Sequence, residues 1–183
     1  VRCVDDVGYA RTTSQRIAKE AGVSVGAVQH HFASKADILT ATLEDSFERL
    51  SAAFDGASAD GASLERRVGV FVDRAWRHYG SARFRSTLEI IYGTRDQGDG
   101  AAGDWAAKPI HESAQRAEAL WSAFFGEYGI KPRERQEILR FALVTLSGMA
   151  MSMRLSDNPS EMGRQLAMLK TALLALLKEA IAK

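Results

Sequence analysis

Between Thr12 and Lys35 the chain reads TTSQRIAKEAGVSVGAVQHHFASK, and few folds accept side chains in that order. Ile17, Ala18 and Ala21 form the inner face of one short helix. Ala18 and Gly22, four apart, are small enough for a second helix to cross closely. Gly22 stands where a helix ends in a left-handed residue, a conformation glycine adopts without a Cβ clash. Ser24 is placed to cap a new helix through its side-chain oxygen. Val28 and Phe32, again four apart, turn that helix's apolar face back onto the first. Two helices crossing at a tight turn make a helix-turn-helix, whose second helix ordinarily enters the major groove of DNA.

Around this unit Gly8-Tyr9, Thr12-Thr13, Ile17-Ala18, Ala21-Gly22-Val23-Ser24, Gly26, His31-Phe32 and Ser34-Lys35 follow one another at set intervals. On these residues, roughly positions 1–50, the chain resembles the N-terminal signature of the TetR family of bacterial transcriptional regulators. The remainder is similar to the family in length and helical pattern alone. The resemblance implies an all-α fold: an N-terminal three-helix helix-turn-helix DNA-binding domain, then a helical ligand-binding and dimerisation domain. Three positions depart from the family's usual residues. Gln29 stands where tyrosine is usual, Val25 where lysine is frequent, and Arg16 where an acid is common. They leave the expected fold as it is and bear on which bases are contacted.

Length and composition fit such a reading. A chain of 183 residues with 46% apolar side chains buries one good core, or a small domain and a larger one. No stretch approaches the ~20 uninterrupted apolar residues that span a bilayer. No signal peptide is visible, and because the sequence starts at Val1 rather than methionine, residues before it are expected. The single cysteine, Cys3, allows no intramolecular disulfide and suits a reducing cytoplasm. The formal net charge of +1 is too small for a strong global field. Residues 1–36 hold five Lys or Arg against three acids, a local and modest bias.

Every long segment has helical periodicity and none alternates like a strand. Val1–Val7 reads as the C-terminal half of a first helix, ended at Gly8. Thr12 and Gln15 fit a capping box at the start of the second helix. Ser34 can cap a longer fourth helix with apolar positions Ile38, Leu39, Leu43, Phe47, Leu50 and Phe54. The polar, small-residue stretch 55–63 places the domain boundary there, giving 1–54 and 55–183. Helices follow at 64–79 and 83–92, and a glycine-rich loop at 94–103. A longer helix runs to about Tyr128, with Pro109 marking its first turn or a kink. Two final helices cover about 133–155 and 160–181.

The final pair carries a second signal. Leu139, Leu143, Leu146, Ala150 and Met153 recur in steps of four and three, and Leu166, Leu169, Leu173 and Leu176 do much the same. Phe141, Val144, Met149 and Met151 spread apolar character around the first of these helices, which must then be covered on most sides. Pairing with a twin subunit's copies in a four-helix interface covers them, and the family's last two helices do this. The alternative is a central core helix within one subunit.

The predicted contacts follow from side-chain chemistry. Gln29 points away from the Val28–Phe32 face, and its amide can read adenine or hold a phosphate. Val25 and Ala27 can touch thymine methyls, and Gly26 lets the backbone approach the duplex. Thr13, Ser14, His31 and Lys35 are expected to bond phosphates, which sets register without reading sequence. His30 and His31 fit DNA contact or packing between helices equally. By resemblance, Gln15 is a second base reader.

For a ligand pocket, Trp76, Phe84, Leu88, Tyr92, Trp105, Trp121, Phe125 and Met149 supply more bulk than a minimal helical core needs, with Glu89 and His111 as polar groups. Plain core is the alternative for each of them, and the resemblance places a pocket between the helices that follow the DNA-binding domain. Through Leu43, Phe47 and Leu50 the fourth helix would carry a ligand's effect to the reading heads.

No enzyme motif is present. HExxH, CxxC, GxSxG and a glycine-rich phosphate loop are all missing, and adjacent His30 and His31 point about 100° apart, which does not suit shared zinc ligation. Glu112 and Glu118 read as solvated surface carboxylates. No cofactor and no metal are expected. The sequence predicts a cytoplasmic, homodimeric regulator, a repressor released by an unidentified small molecule from a near-palindromic double-stranded operator, with no membrane partner. Two other classes fit parts of the chain: an architectural DNA-binding protein without a ligand, and a small-molecule binder whose motif is a relic.

Overall fold

The computed structural model describes residues 2–57, 61–95, 104–153 and 158–183, with backbone alone at 94, 95, 104–107 and 159. Among the described residues there are nine α-helices and no strand: α1 (Arg2–Val7), α2 (Ser14–Ala21), α3 (Val25–His31), α4 (Lys35–Ala53), α5 (Leu64–Tyr79), α6 (Ala82–Arg95), α7 (Asp104–Phe125), α8 (Pro132–Ser152) and α9 (Pro159–Ile181). Pro109 lies inside α7, and proline opens both α8 and α9, where its missing N–H costs nothing. Asn158 caps α9 by accepting the Glu161 N–H. Most of the expected loop at 94–103 falls outside the described residues. No helix among those described is long and apolar enough to cross a membrane.

Packing divides the chain into two compact units, one of residues 1–49 with 82–114, the other of 50–81 with 115–183. The division differs from the expected cut at 54/55. A polar stretch marks a break in the chain, whereas unit membership follows from which faces meet, and α6 meets α1 and the turn Tyr9–Arg11. In the first unit Val4, Tyr9, Leu39, Leu43, Phe47 and Ile90 form one apolar cluster, with Ile91 packed against it. Cys3 is buried, and its thiol donates to the Arg16 carbonyl at 3.7 Å, joining α1 to α2. Asp45 accepts from both Arg49 and Arg83. Burial pushes the Asp45 carboxyl up, but these two cations outweigh it and hold the group below its ordinary value.

In the second unit Phe54, Phe71, Trp121, Phe124 and Phe125 interlock, with Phe71 edge-on to Trp121 at 5.2 Å and Trp121 4.5 Å from Phe125. Helix α5 packs on α8 and α9, and α8 on α9. Arg67 is buried here. It donates to the carbonyls of Ala62 at 3.0 Å and Phe124 at 2.9 Å and pairs with Glu127 at 2.7 Å, so its charge keeps partners out of water. Arg74 donates to the carbonyls of Ala53 and Asp55 at the end of α4, which have no helical partner of their own.

The heptad-like stripe expected to face a twin subunit is largely spent inside this unit. Leu139, Leu146, Ala150, Leu169 and Leu173 are buried within the single chain, and Leu143, Met153 and Leu166 are half-buried. Of the nine residues predicted for the interface only Leu176 is exposed. The large apolar residues left outside are Phe141, Val144 and Met151 on α8 and Met168, Leu176 and Ile181 on α9, with Val144 63% and Met168 71% exposed. Phe141, Val144, Gly148 and Met151 again step by three, four and three, so α8 carries two apolar stripes. The richer one went to the chain's own core.

Candidate nucleic-acid interface

The reading unit is built by its caps. Gly22 ends α2 in the left-handed region at φ 69°, and its N–H returns to the carbonyls of Ala18 and Lys19. Ser24 then caps α3, its hydroxyl accepting the Ala27 N–H at 3.1 Å. Each such cap is worth about 1 kcal/mol. At the head of α2 the cap is one residue later than the sequence suggests. Thr13, not Thr12, accepts the Arg16 N–H, while Thr12 is buried and donates to the Gly8 carbonyl at 2.9 Å. Gln15 is consequently exposed and takes no part in a capping box. Ser34 caps α4 as expected, and Asp37 completes the pair by accepting the Ser34 N–H at 2.8 Å.

Helix α3 buries Val28 alone. Val25, Gly26, Ala27, Gln29, His30 and His31 are all exposed, a continuous outer surface on a helix of seven residues. Both imidazoles lie on that surface rather than between helices, edge to face at 5.3 Å. Thr13 is exposed and Ser14 half-buried. Lys35 is half-buried because its ammonium sits over the Tyr9 ring, 4.4 Å from the centroid. Burial pushes the Lys35 amine below its ordinary pKa and the Tyr9 phenol above its own. A cation over an aromatic face contributes about 0.5–1 kcal/mol at such a site. The platform for Lys35 was not foreseen in the sequence. The only trace of it was the Gly8-Tyr9 pair itself.

The ligand candidates are divided between the two units. Phe84, Leu88, Glu89, Tyr92, Trp105 and His111 belong to the first unit, and Trp76, Trp121, Phe125 and Met149 to the second. Trp105 lies outside the described residues in its side chain. Trp121 and Phe125 are part of the aromatic core, Phe84 and Met149 are buried, and Tyr92 and His111 are exposed. Glu89 has a structural task, accepting the Tyr9 N–H at 2.7 Å. Trp121 is fully buried, and its indole N–H has no hydrogen-bond partner among the described residues. A cleft of about 390 Å³ in the first unit is lined by other residues, among them Cys3, Glu20, Ile38, Asp45 and Arg83. Glu118 pairs with Arg135 at 3.0 Å. Among the described residues no group of His, Cys, Asp or Glu is placed to hold a metal ion.

Comparison with known proteins bears on both parts of the chain. Residues 1–42 match the model of the bacterial regulatory proteins, tetR family. The HTH-type transcriptional regulator BetI 2 of Chromohalobacter salexigens is 44% identical over 62 residues, 34% of this chain and 28% of that protein. The HTH-type transcriptional repressor Rv1474c of Mycobacterium tuberculosis is 29% identical over 119 residues, 65% of this chain and 59% of its own. The matches thus span less than two thirds of either relative. Among solved structures, the TetR family transcriptional regulator PfmR from Thermus thermophilus superposes with a TM-score of 0.68 at 21% identity, covering 97% of this chain and 93% of that one. A transcriptional regulator from Rhodococcus sp. Rha1 gives 0.69 at 19% identity, covering 98% and 90%. GusR of Salmonella enterica gives 0.69 at 21%, covering 97% and 90%. At these identities the likeness is one of fold.

Proposed function

We propose that this chain is a homodimeric DNA-binding transcriptional regulator of the TetR family, a reading supported by the family match over residues 1–42 and by the likeness of fold. The observation that carries this reading is α3, which buries one side chain and leaves six consecutive or near-consecutive residues outside. A helix of that shape has an outer face to spend on base edges, with Gln29 as its amide reader and Val25 and Ala27 as methyl contacts. Thr13, Ser14, His31 and Lys35 flank it as phosphate ligands, and Gln15 stands exposed one helix earlier.

The twin subunit would seat on the outer stripe Phe141, Val144, Gly148 and Met151 of α8 together with Met168 and Leu176 of α9. What supports this is that these side chains are exposed while the alternative stripe is used up within the chain. A twofold dimer presents two reading helices to sites about one turn of duplex apart, so the operator would be a near-palindrome. Release by a small molecule, and so repression, rests on less. It is supported by the Trp121 indole N–H, which has no partner among the described residues and which a ligand acceptor would satisfy. Such a ligand shifts the equilibrium only by binding the DNA-incompetent state more tightly. Selection from a pool of random-sequence duplexes tests the reading. Enrichment of a near-palindrome, lost with Gln29→Ala, is expected; no enrichment by the folded chain would remove it.

A further inference from the structure

Three contacts converge on Tyr9, in the turn that leads from α1 towards α2. Its backbone N–H donates to the Glu89 carboxylate at 2.7 Å, from a position eighty residues away in sequence. Its ring lies against Gly93, one turn further along α6, where an added Cβ would come within 2.5 Å of Tyr9 Cδ1. The same ring carries the Lys35 ammonium at the first residue of α4. Gly8, at φ 79°, completes the seat, since a Cβ there would stand 3.0 Å from Glu89 Oε1. Helix α6 therefore grips Tyr9 by backbone and by ring, and Tyr9 in turn holds up the cation.

We propose that Glu89 and Gly93 are positioning residues for Lys35, acting through Tyr9, so that α6 sets where one phosphate-binding ammonium stands. The proposal rests on the reading of this chain as a DNA-binding protein, with a backbone phosphate as the group recognised. The physical reason is rigidity. A hydrogen bond to an ionised carboxylate is short and directional, and a ring with no free space against Gly93 cannot shift without α6 shifting too. A displacement of α6 then moves Tyr9, and the ammonium over the ring follows. Lys35 is half-buried on that ring and has lost part of its freedom to find the phosphate by itself.

The experiment compares the full chain with Lys35→Ala, Glu89→Ala, Glu89→Gln and Gly93→Ala, using the duplex that the unaltered chain enriches from a random-sequence pool. Each phosphate contact contributes about 0.9 to the slope of log K against log salt. Lys35→Ala is expected to flatten that slope by about 0.9 per bound subunit. Glu89→Ala and Gly93→Ala, which keep the lysine but disturb the ring beneath it, should flatten it by a similar amount. Glu89→Gln should restore it, because an amide oxygen still accepts the Tyr9 N–H. A second readout needs no DNA: the Lys35 ε-methylene protons, lying over the ring, should resonate upfield and return towards ordinary values in Glu89→Ala. A folded Glu89→Ala protein with the original slope, or with the ε-methylene protons unmoved, overturns the proposal. A chain that binds no duplex removes the functional reading, while the ε-methylene shift still decides whether Glu89 positions the ammonium. Should Glu89→Ala fail to fold, Gly93→Ala carries both measurements.

Discussion

Gly26 has room for a methyl group: among the described residues, an added Cβ would meet the Ser24 hydroxyl at 3.8 Å, an ordinary van der Waals contact. Gly26→Ala should therefore leave folding intact, and the gain in helix propensity is at most about 0.5–1 kcal/mol. If the backbone approaches the duplex at this point, the same methyl should lower DNA affinity at least tenfold. A titration of the selected duplex, beside a thermal melt, checks both halves; equal affinity would move the contact away from Gly26. At this scale much was legible in the sequence. The left-handed Gly22 and the caps at Ser24 and Ser34 follow from side chains that act on their own neighbours. The slip from Thr12 to Thr13 has the same origin, since two adjacent threonines offer the same oxygen and only the position of the helix start distinguishes them. The sequence marks Lys35 as a phosphate ligand and no more, because nothing within reach along the chain reveals that Tyr9, Glu89 and Gly93 will gather beside it.

Among the helices, α5 shows how a charged residue becomes part of a core. Arg67 anchors the chain near Ala62 to the end of α7 through two carbonyls and Glu127, and its guanidinium lies 5.5 Å from the Tyr128 ring. Arg67→Ala should cost about 1–3 kcal/mol, because it orphans the buried Phe124 carbonyl. Glu127→Gln, at an exposed partner, should cost well under that. Denaturant unfolding separates the two, and similar losses would show that the carbonyl contacts matter little. Helix existence was readable from periodicity, since α5, α8 and α9 all announce an apolar stripe. The choice between stripes on α8 was not. Leu139, Leu143, Leu146 and Ala150 make the better seam for any partner, and spacing cannot say whether that partner is a neighbouring helix of the same chain or of another.

Considered as a whole molecule, the chain yields a sharp contrast between two substitutions two residues apart. Val144→Glu places a charge on the outer stripe, so it should yield a folded monomer by sedimentation with little change in melting. Leu146→Glu places one in a fully buried site and should unfold the protein outright. A Val144→Glu protein that remains a stable dimer would put the interface on another surface. Such an interface should bury more than ~1,200 Å². The division into two units was the part of the architecture least accessible from sequence, because α6 joins the N-terminal helices through contacts such as Glu89 to Tyr9, far apart in the chain. It has a kinetic corollary. The chain owns one thiol, and that thiol is buried where α1 meets α2, so alkylation should quicken when those helices part. Cys3 is thus a clock for the opening of the first unit, while Trp121 emission, recorded in a Trp76→Phe, Trp105→Phe background, keeps time for the second. Among the described residues, the first unit has no counterpart to the interlocked rings and the two helices of more than twenty residues that the second contains. As urea rises, the cysteine clock should start to run before the tryptophan one, and bound duplex should slow it.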